Sequence, residues 1–147
     1  MYKRILVATD GTKLSAKAVS NAIAMAGLCQ AELVALKVVP RYPQSYFEGS
    51  LPLSATEVGR IEGQWSSEGQ AVVDKVVAQA AKEGVKAKAL IVKSDLVAEA
   101  VIAAAKKHKV DLIIMASHGR RGLKRLLLGS ETQHVLTHGK IPVLVLR

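Results

Sequence analysis

Apolar residues along the chain fall into two kinds of run. Five short blocks, 3–9, 31–39, 86–93, 110–116 and 141–146, are dense in Ile, Leu, Val and Ala, the continuous pattern of strands covered on both faces. Between them the apolar positions recur at helical spacing. After the turn residues Asp10-Gly11-Thr12, Val19, Ile23 and Ala26 share one face of a helix reaching about Leu28. Ser54-Ala55-Thr56-Glu57 reads as a capping box that opens a long helix to about Glu83. Gly59, Gly63 and Gly69 weaken its first half, Val72, Val73, Val76 and Val77 firm up its second, and Gly84 ends it. Asp95 is placed to cap the next helix, where Val97, Val101 and Ala104 stack. A last helix, Glu131 to His138, follows Ser130, and Ser130 with Gln133 fits a second capping box.

Five strands separated by four helical segments predict an α/β fold, an open, doubly wound, Rossmann-like parallel sheet with right-handed crossovers. Ligands of such sheets sit beyond the carboxyl ends of the strands, where the strand order reverses. The order itself is not written in the pattern. An order 3-2-1-4-5 sets Asp10 beside Ala116 to Gly119, whereas 2-1-3-4-5 would line the site with Lys93-Ser94-Asp95. The excursion 41–55, with Pro43, Gly49, Pro52, Tyr42, Tyr46 and Phe47, is long for a connection and is expected to be a binding loop, an interface element or mobile.

Composition narrows the possibilities. A length of 147 residues, half of them apolar, predicts one domain over 1–147, and 3% aromatic residues require an aliphatic core. The formal charge of +9 is spread along the chain, as on a solvated basic surface. Gly119-Arg120-Arg121-Gly122 lacks the repetition and interleaved aromatics of an RNA-binding tail, so no nucleic-acid partner is expected. Cys29 stands alone, which excludes a disulfide framework and a cysteine-based metal site. With no leader pattern and no apolar run near membrane-spanning length, the expected location is cytoplasmic, away from membranes. His118 has no carboxylate within sequence reach to make it a catalytic base, and no catalytic residue is expected. His108, His134 and His138 are read as forming no helical pair that would bind a metal, and Trp65 as a packing or interface residue rather than a stacking platform.

The chemistry concentrates after the fourth strand. The apolar run Leu112 to Ala116 turns small and polar at Ser117, His118 and Gly119, passes four cations (Arg120, Arg121, Lys124, Arg125) and reaches Gly129-Ser130 at a helix start. A strand, then glycines, then a helix N-terminus turns backbone N–H groups and the helix dipole toward an anion, so this stretch reads as a phosphate cradle. Asp10, at the end of the first strand, either accepts from a ribose hydroxyl, lies near Mg²⁺ bound to phosphates, or caps the helix at Thr12.

Ala116-x-x-Gly119, nine residues, then Gly129-Ser130 resembles the Gly-x-x-Gly, nine residues, Gly-Ser/Thr signature of the nucleotide-binding branch of the universal stress protein family. The likeness runs from Ile5-Leu6-Val7-Ala8-Thr9-Asp10 to Ile141-Pro142-Val143-Leu144-Val145-Leu146. It implies the order 3-2-1-4-5 and an ATP-binding switch or carrier rather than an enzyme, with Mg²⁺ accompanying the nucleotide. It also implies a homodimer paired through Val143 to Leu146. Carried over residue by residue, the resemblance has Ala8 and Thr9 lining the adenine pocket and the Val38 backbone meeting the base. Asp10 then takes the ribose or metal role, while Gly119, Gly129, Ser130 and Thr132 meet the phosphates with Arg120 beside them. Missing side chains at the glycines let phosphates approach and permit positive φ. Two residues depart from the pattern, Ala116 and Glu131. A left-handed Ala116 would cost roughly 1–2 kcal/mol, but continuation of Ile113-Ile114-Met115 predicts β geometry, which costs the backbone nothing and leaves only a methyl that can crowd the ligand. Glu131 suits the helix dipole and would repel a triphosphate if it faced the loop. These two residues favour an alternative reading, a dimeric interaction protein of the same family that binds no nucleotide.

Overall fold

Alternation within the strands sorts the core into two layers. The computed structural model describes residues 1–43, 53–119 and 128–147. In chain order the elements are β1 (Arg4–Ala8), α1 (Lys13–Cys29), β2 (Glu32–Val39), α2 (Ala55–Lys82), β3 (Ala87–Lys93), α3 (Val97–Lys107), β4 (Leu112–Ala116), α4 (Ser130–His138) and β5 (Val143–Leu146). Ile5 and Val7 of β1 face one way, with Leu33 and Ala35 of β2 and Leu112 and Ile114 of β4, onto Val19 and Ile23 of α1 and Val73 and Val76 of α2. Leu6 faces the other way, with Val34, Leu36, Ile113 and Met115, onto Val101 and Ala104 of α3 and Val135 of α4. Ile5, Leu6 and Val7 are fully buried, each worth about 1.5–3 kcal/mol of transfer free energy. A strand buried on both sides must be apolar at every position, which is why the period-2 signal is absent from it.

All strand pairs are parallel and the order is β3-β2-β1-β4-β5, as the resemblance implied. The reversal therefore falls between β1 and β4. Lys93-Ser94-Asp95 instead follow an edge strand, so the alternative order is excluded. Among the described residues no helix is long and apolar enough to cross a membrane.

Several helix boundaries are written in local chemistry. The Ser54 capping box forms in both directions, Ser54 Oγ accepting from the Glu57 N–H at 3.2 Å and Glu57 Oε2 from the Ser54 N–H at 3.3 Å. Gly84, just past α2, has φ +74°, which a side chain resists. Gly69 has a different reason to be glycine. A Cβ there would lie 2.8 Å from Val39 Cγ2 and 3.2 Å from Lys37 Cγ, so α2 approaches β2 too closely for a side chain. Trp65 packs as expected, stacked on Tyr42 at 6.2 Å.

Two expected caps do not form. Asp95 leaves α3 alone because its Oδ1 accepts from the Arg41 N–H at 3.0 Å, tying down the exit from β2. The N-cap of α3 is Leu96, with no side-chain cap bond of its own. Glu131, from α4, supplies the missing acceptor, taking the Ala98 N–H at 2.9 Å. The Ser130–Gln133 box is also absent. Gly129 occupies the N-cap of α4, and the Gln133 side chain donates to the Leu128 carbonyl instead.

Candidate functional site

The reversal point brings the ends of β1 and β4 together, with Ile5, Leu6 and Val7 opposite Leu112, Ile113 and Ile114. Thr9 extends the β1 ladder by donating its N–H to the Leu36 carbonyl, and its buried hydroxyl meets the Ser15 hydroxyl at 3.1 Å. Asp10 follows at the crevice. Its Oδ1 accepts from the Thr12 N–H at 3.0 Å and the Thr12 hydroxyl at 2.6 Å, while Thr12 itself caps α1 by accepting from the Ser15 N–H. Burial pushes the Asp10 carboxyl upward, but the Thr12 and Ser15 hydrogen bonds and the Lys37 charge outweigh it and hold it below the usual aspartate value. Asp10 is thus a carboxylate at neutral pH, fixed in orientation. The intervening Gly11 has φ +82°.

Across the crevice, a Cβ on Gly119 would lie 3.1 Å from Asp10 Oδ2. The glycine after β4 thus lies where any side chain would crowd the carboxylate after β1. Gly129 closes the other end of the loop, its N–H donating to the Ser117 carbonyl at 2.7 Å. A Cβ on Gly129 would stand 3.1 Å from His118 Cα and 3.3 Å from Ser117 O. Its φ of −60° shows that close approach, not conformational freedom, selects glycine here. Positive φ, which glycine permits, is adopted at neither loop glycine.

Ala116 belongs to β4 and pairs with Leu146, in the β geometry its apolar neighbours predict. Its carbonyl accepts from the buried Thr132 hydroxyl at 2.9 Å, a strut that pins the first turn of α4 to the end of β4. Glu131 turns away to α3 and not into the crevice. The N-terminus of α4, with Ser130 exposed in its first turn, carries no side-chain cap bond. Arg120 lies outside the described residues, as do Arg121, Lys124 and Arg125. Ala8 and Val38 are half-buried on the α3 side of the sheet, Ala8 beside Leu36 in register and Val38 beside Val92.

A cleft of about 240 Å³ opens from Asp10 toward α2, lined by Lys37, Val39, Pro40, Trp65, Glu68 and Gly69. Lys37 and Glu68 were not singled out from the sequence. The available signal was Lys37, a charge interrupting the apolar run 31–39. His134 and His138 are one turn apart on α4, their rings stacked with centroids 4.1 Å apart. Among the described residues no group of three or more His, Cys, Asp or Glu could hold a metal ion.

A profile of the universal stress protein family matches residues 1–147. Universal stress protein MJ0531 of Methanocaldococcus jannaschii is 35% identical, over 100% of this chain and 83% of that protein. The solved structure of MJ0577, from the same organism, superposes with a TM-score of 0.81 at 28% identity, over 99% of this chain and 96% of that one. A universal stress protein crystallised in complex with cAMP superposes with a TM-score of 0.73 at 26% identity, over 99% of this chain and 97% of that one. With the signature spacing, the sheet order and these likenesses in agreement, the chain belongs to the universal stress protein family.

Proposed function

We propose that the protein binds an adenine nucleotide, ATP in the first instance, in the crevice between the ends of β1 and β4, and acts as a cytoplasmic ligand-dependent switch or carrier rather than as an enzyme. The close approach of Gly119 to Asp10 carries this reading, because it sets an ionised carboxylate beside a position where any side chain would crowd it. In the proposed complex Asp10 accepts from the ribose or faces Mg²⁺ held by the phosphates, and Ala8, Thr9 and the Val38 backbone border the base. Gly119, Gly129, Ser130 and the first turn of α4 meet the phosphates, with Arg120 nearby. Thr132 contributes by fixing that turn to Ala116, its hydroxyl being held by the strand. The cAMP complex of a 26% identical relative supports an adenine nucleotide as the ligand class.

The alternative, a dimeric interaction protein without nucleotide, draws on Ala116 and Glu131. Both lose weight, Ala116 because it is in β geometry and Glu131 because it caps α3. In either case the proposed homodimer pairs through β5.

A thermal-shift experiment with ATP, AMP, cAMP and no ligand, each with and without Mg²⁺, tests the proposal. A micromolar ligand at millimolar concentration adds about 4 kcal/mol of stability, and Asp10→Ala should remove most of that increment. No shift with any nucleotide would favour the interaction protein.

A further inference from the structure

We propose that the groove between β3 and α3 is a docking site for an amphipathic helix of a partner protein, one with a narrow apolar face bordered by acidic residues. The groove, of about 210 Å³, is floored by Leu90 and Val92 of β3 and walled by Ala100, Ala103 and Ala104 of α3, with Lys107 and His108 at one end.

Its origin is the layering of the sheet. Strand residues alternate between faces, so Ala87, Ala89 and Ile91 of β3 pack on the α2 side while Leu90 and Val92 turn to the other. On that other side α3 lies over β2 and against α4, and among the described residues no helix covers β3. Leu90 and Val92 are therefore only half-buried, and Ala103 is exposed. Leu96, four residues before Ala100 and in the same row of α3, is 59% exposed. The open stripe thus runs the length of α3, 11 residues or about 16 Å.

A helix fits this space better than a strand. Apolar faces of such sheets are covered by helices, and one laid beside α3 would complete the layer. The alanines of α3 let a second helix axis come close, since side-chain size sets that distance. The free edge of β3, by contrast, carries Lys88 and Lys93, which oppose strand addition.

Charge selects the border of the partner. At the end of the groove by the start of β3, the exposed Lys88 and Lys107 flank His108, with Lys88 Nζ 2.9 Å from His108 Nδ1. Burial, and then the charges of Lys88, Lys107 and Arg4, hold the His108 imidazole below the usual histidine value, so the field there is positive. Acidic side chains on the partner complement it and set the register of docking.

The test uses two fluorescein-labelled model peptides with the same Leu/Ala face, one bordered by glutamates and one by lysines, titrated into the full chain by fluorescence anisotropy. The glutamate peptide should bind, shifting amide resonances of β3 and α3, and the lysine peptide should bind roughly tenfold more weakly or not at all. Ala103→Arg, at an exposed position, should block the groove, and Lys88→Glu with Lys107→Glu should weaken the glutamate peptide by roughly tenfold. Circular dichroism checks that each variant keeps its fold. No binding of either peptide, equal binding of both, or wild-type affinity in Ala103→Arg overturns the proposal. Self-association of the wild type that Ala103→Arg abolishes also overturns it, because the groove would then hold a second copy of this chain.

Discussion

At the scale of single residues, the protein separates chemistry from packing within a few ångströms. Asp10 is held below the ordinary aspartate value because hydrogen bonds and the Lys37 charge outweigh its burial. A carboxyl with a depressed folded-state pKa stabilises the fold fully above its unfolded value, and that contribution is lost as pH falls through the lowered value. Wild type should therefore be more stable than Asp10→Asn at pH 7, with the gap narrowing below the carboxylate range. Urea midpoints measured across that range check this, and a pH-independent gap would sink it. The glycines of α2 supply a second test. Gly59 and Gly63 are exposed with nothing within 4 Å of a built Cβ, so alanine at either should add about 0.5–1 kcal/mol through helix propensity. Gly69→Ala has the same propensity gain but drives a methyl to 2.8 Å from the buried Val39, and overpacking of about 1–3 kcal/mol should make it net destabilising. In the sequence the three glycines look alike. Only the approach of α2 to β2 tells them apart.

At the scale of elements, α4 is the junction. Its first turn is tied to β4 through Thr132 and Ala116, and to α3 through Glu131 and Ala98. Glu131 does the work that local reading assigned to Asp95, and a cap supplied from 33 residues away leaves no trace in the capping pattern of either helix. Glu131→Ala should then destabilise the protein by about 1 kcal/mol, the usual size of a lost cap, whereas Asp95→Ala should leave α3 capped. Denaturant midpoints of the two variants make the comparison, and equal losses would contradict it. The same geometry predicts that Glu131→Ala does not tighten ATP binding, because the carboxylate already points away from the crevice.

For the whole molecule, the sheet has two edges that differ in kind. β3 carries Lys88 and Lys93, charges of the sort that discourage strand addition, while β5 is Val-Leu-Val-Leu without a charge. If β5 pairs with its copy in a homodimer, Val145→Lys should yield a monomer of unchanged circular dichroism, read by light scattering. A wild-type monomer would end that proposal. Strands, helices and their sequence were legible from the chain alone, since apolar runs and helical spacing follow from which faces must be dry. Gly119 and Gly129, singled out by their spacing, do lie at close approaches that leave no room for a side chain. What folding alone decided was adjacency: that Gly119 meets Asp10, that Lys37 and Trp65 share a cleft, that Glu131 serves another helix, and that two histidine rings stack. The physical reason is that periodicity reports the environment of each residue, whereas its partners depend on strand order and helix approach, which no local pattern encodes.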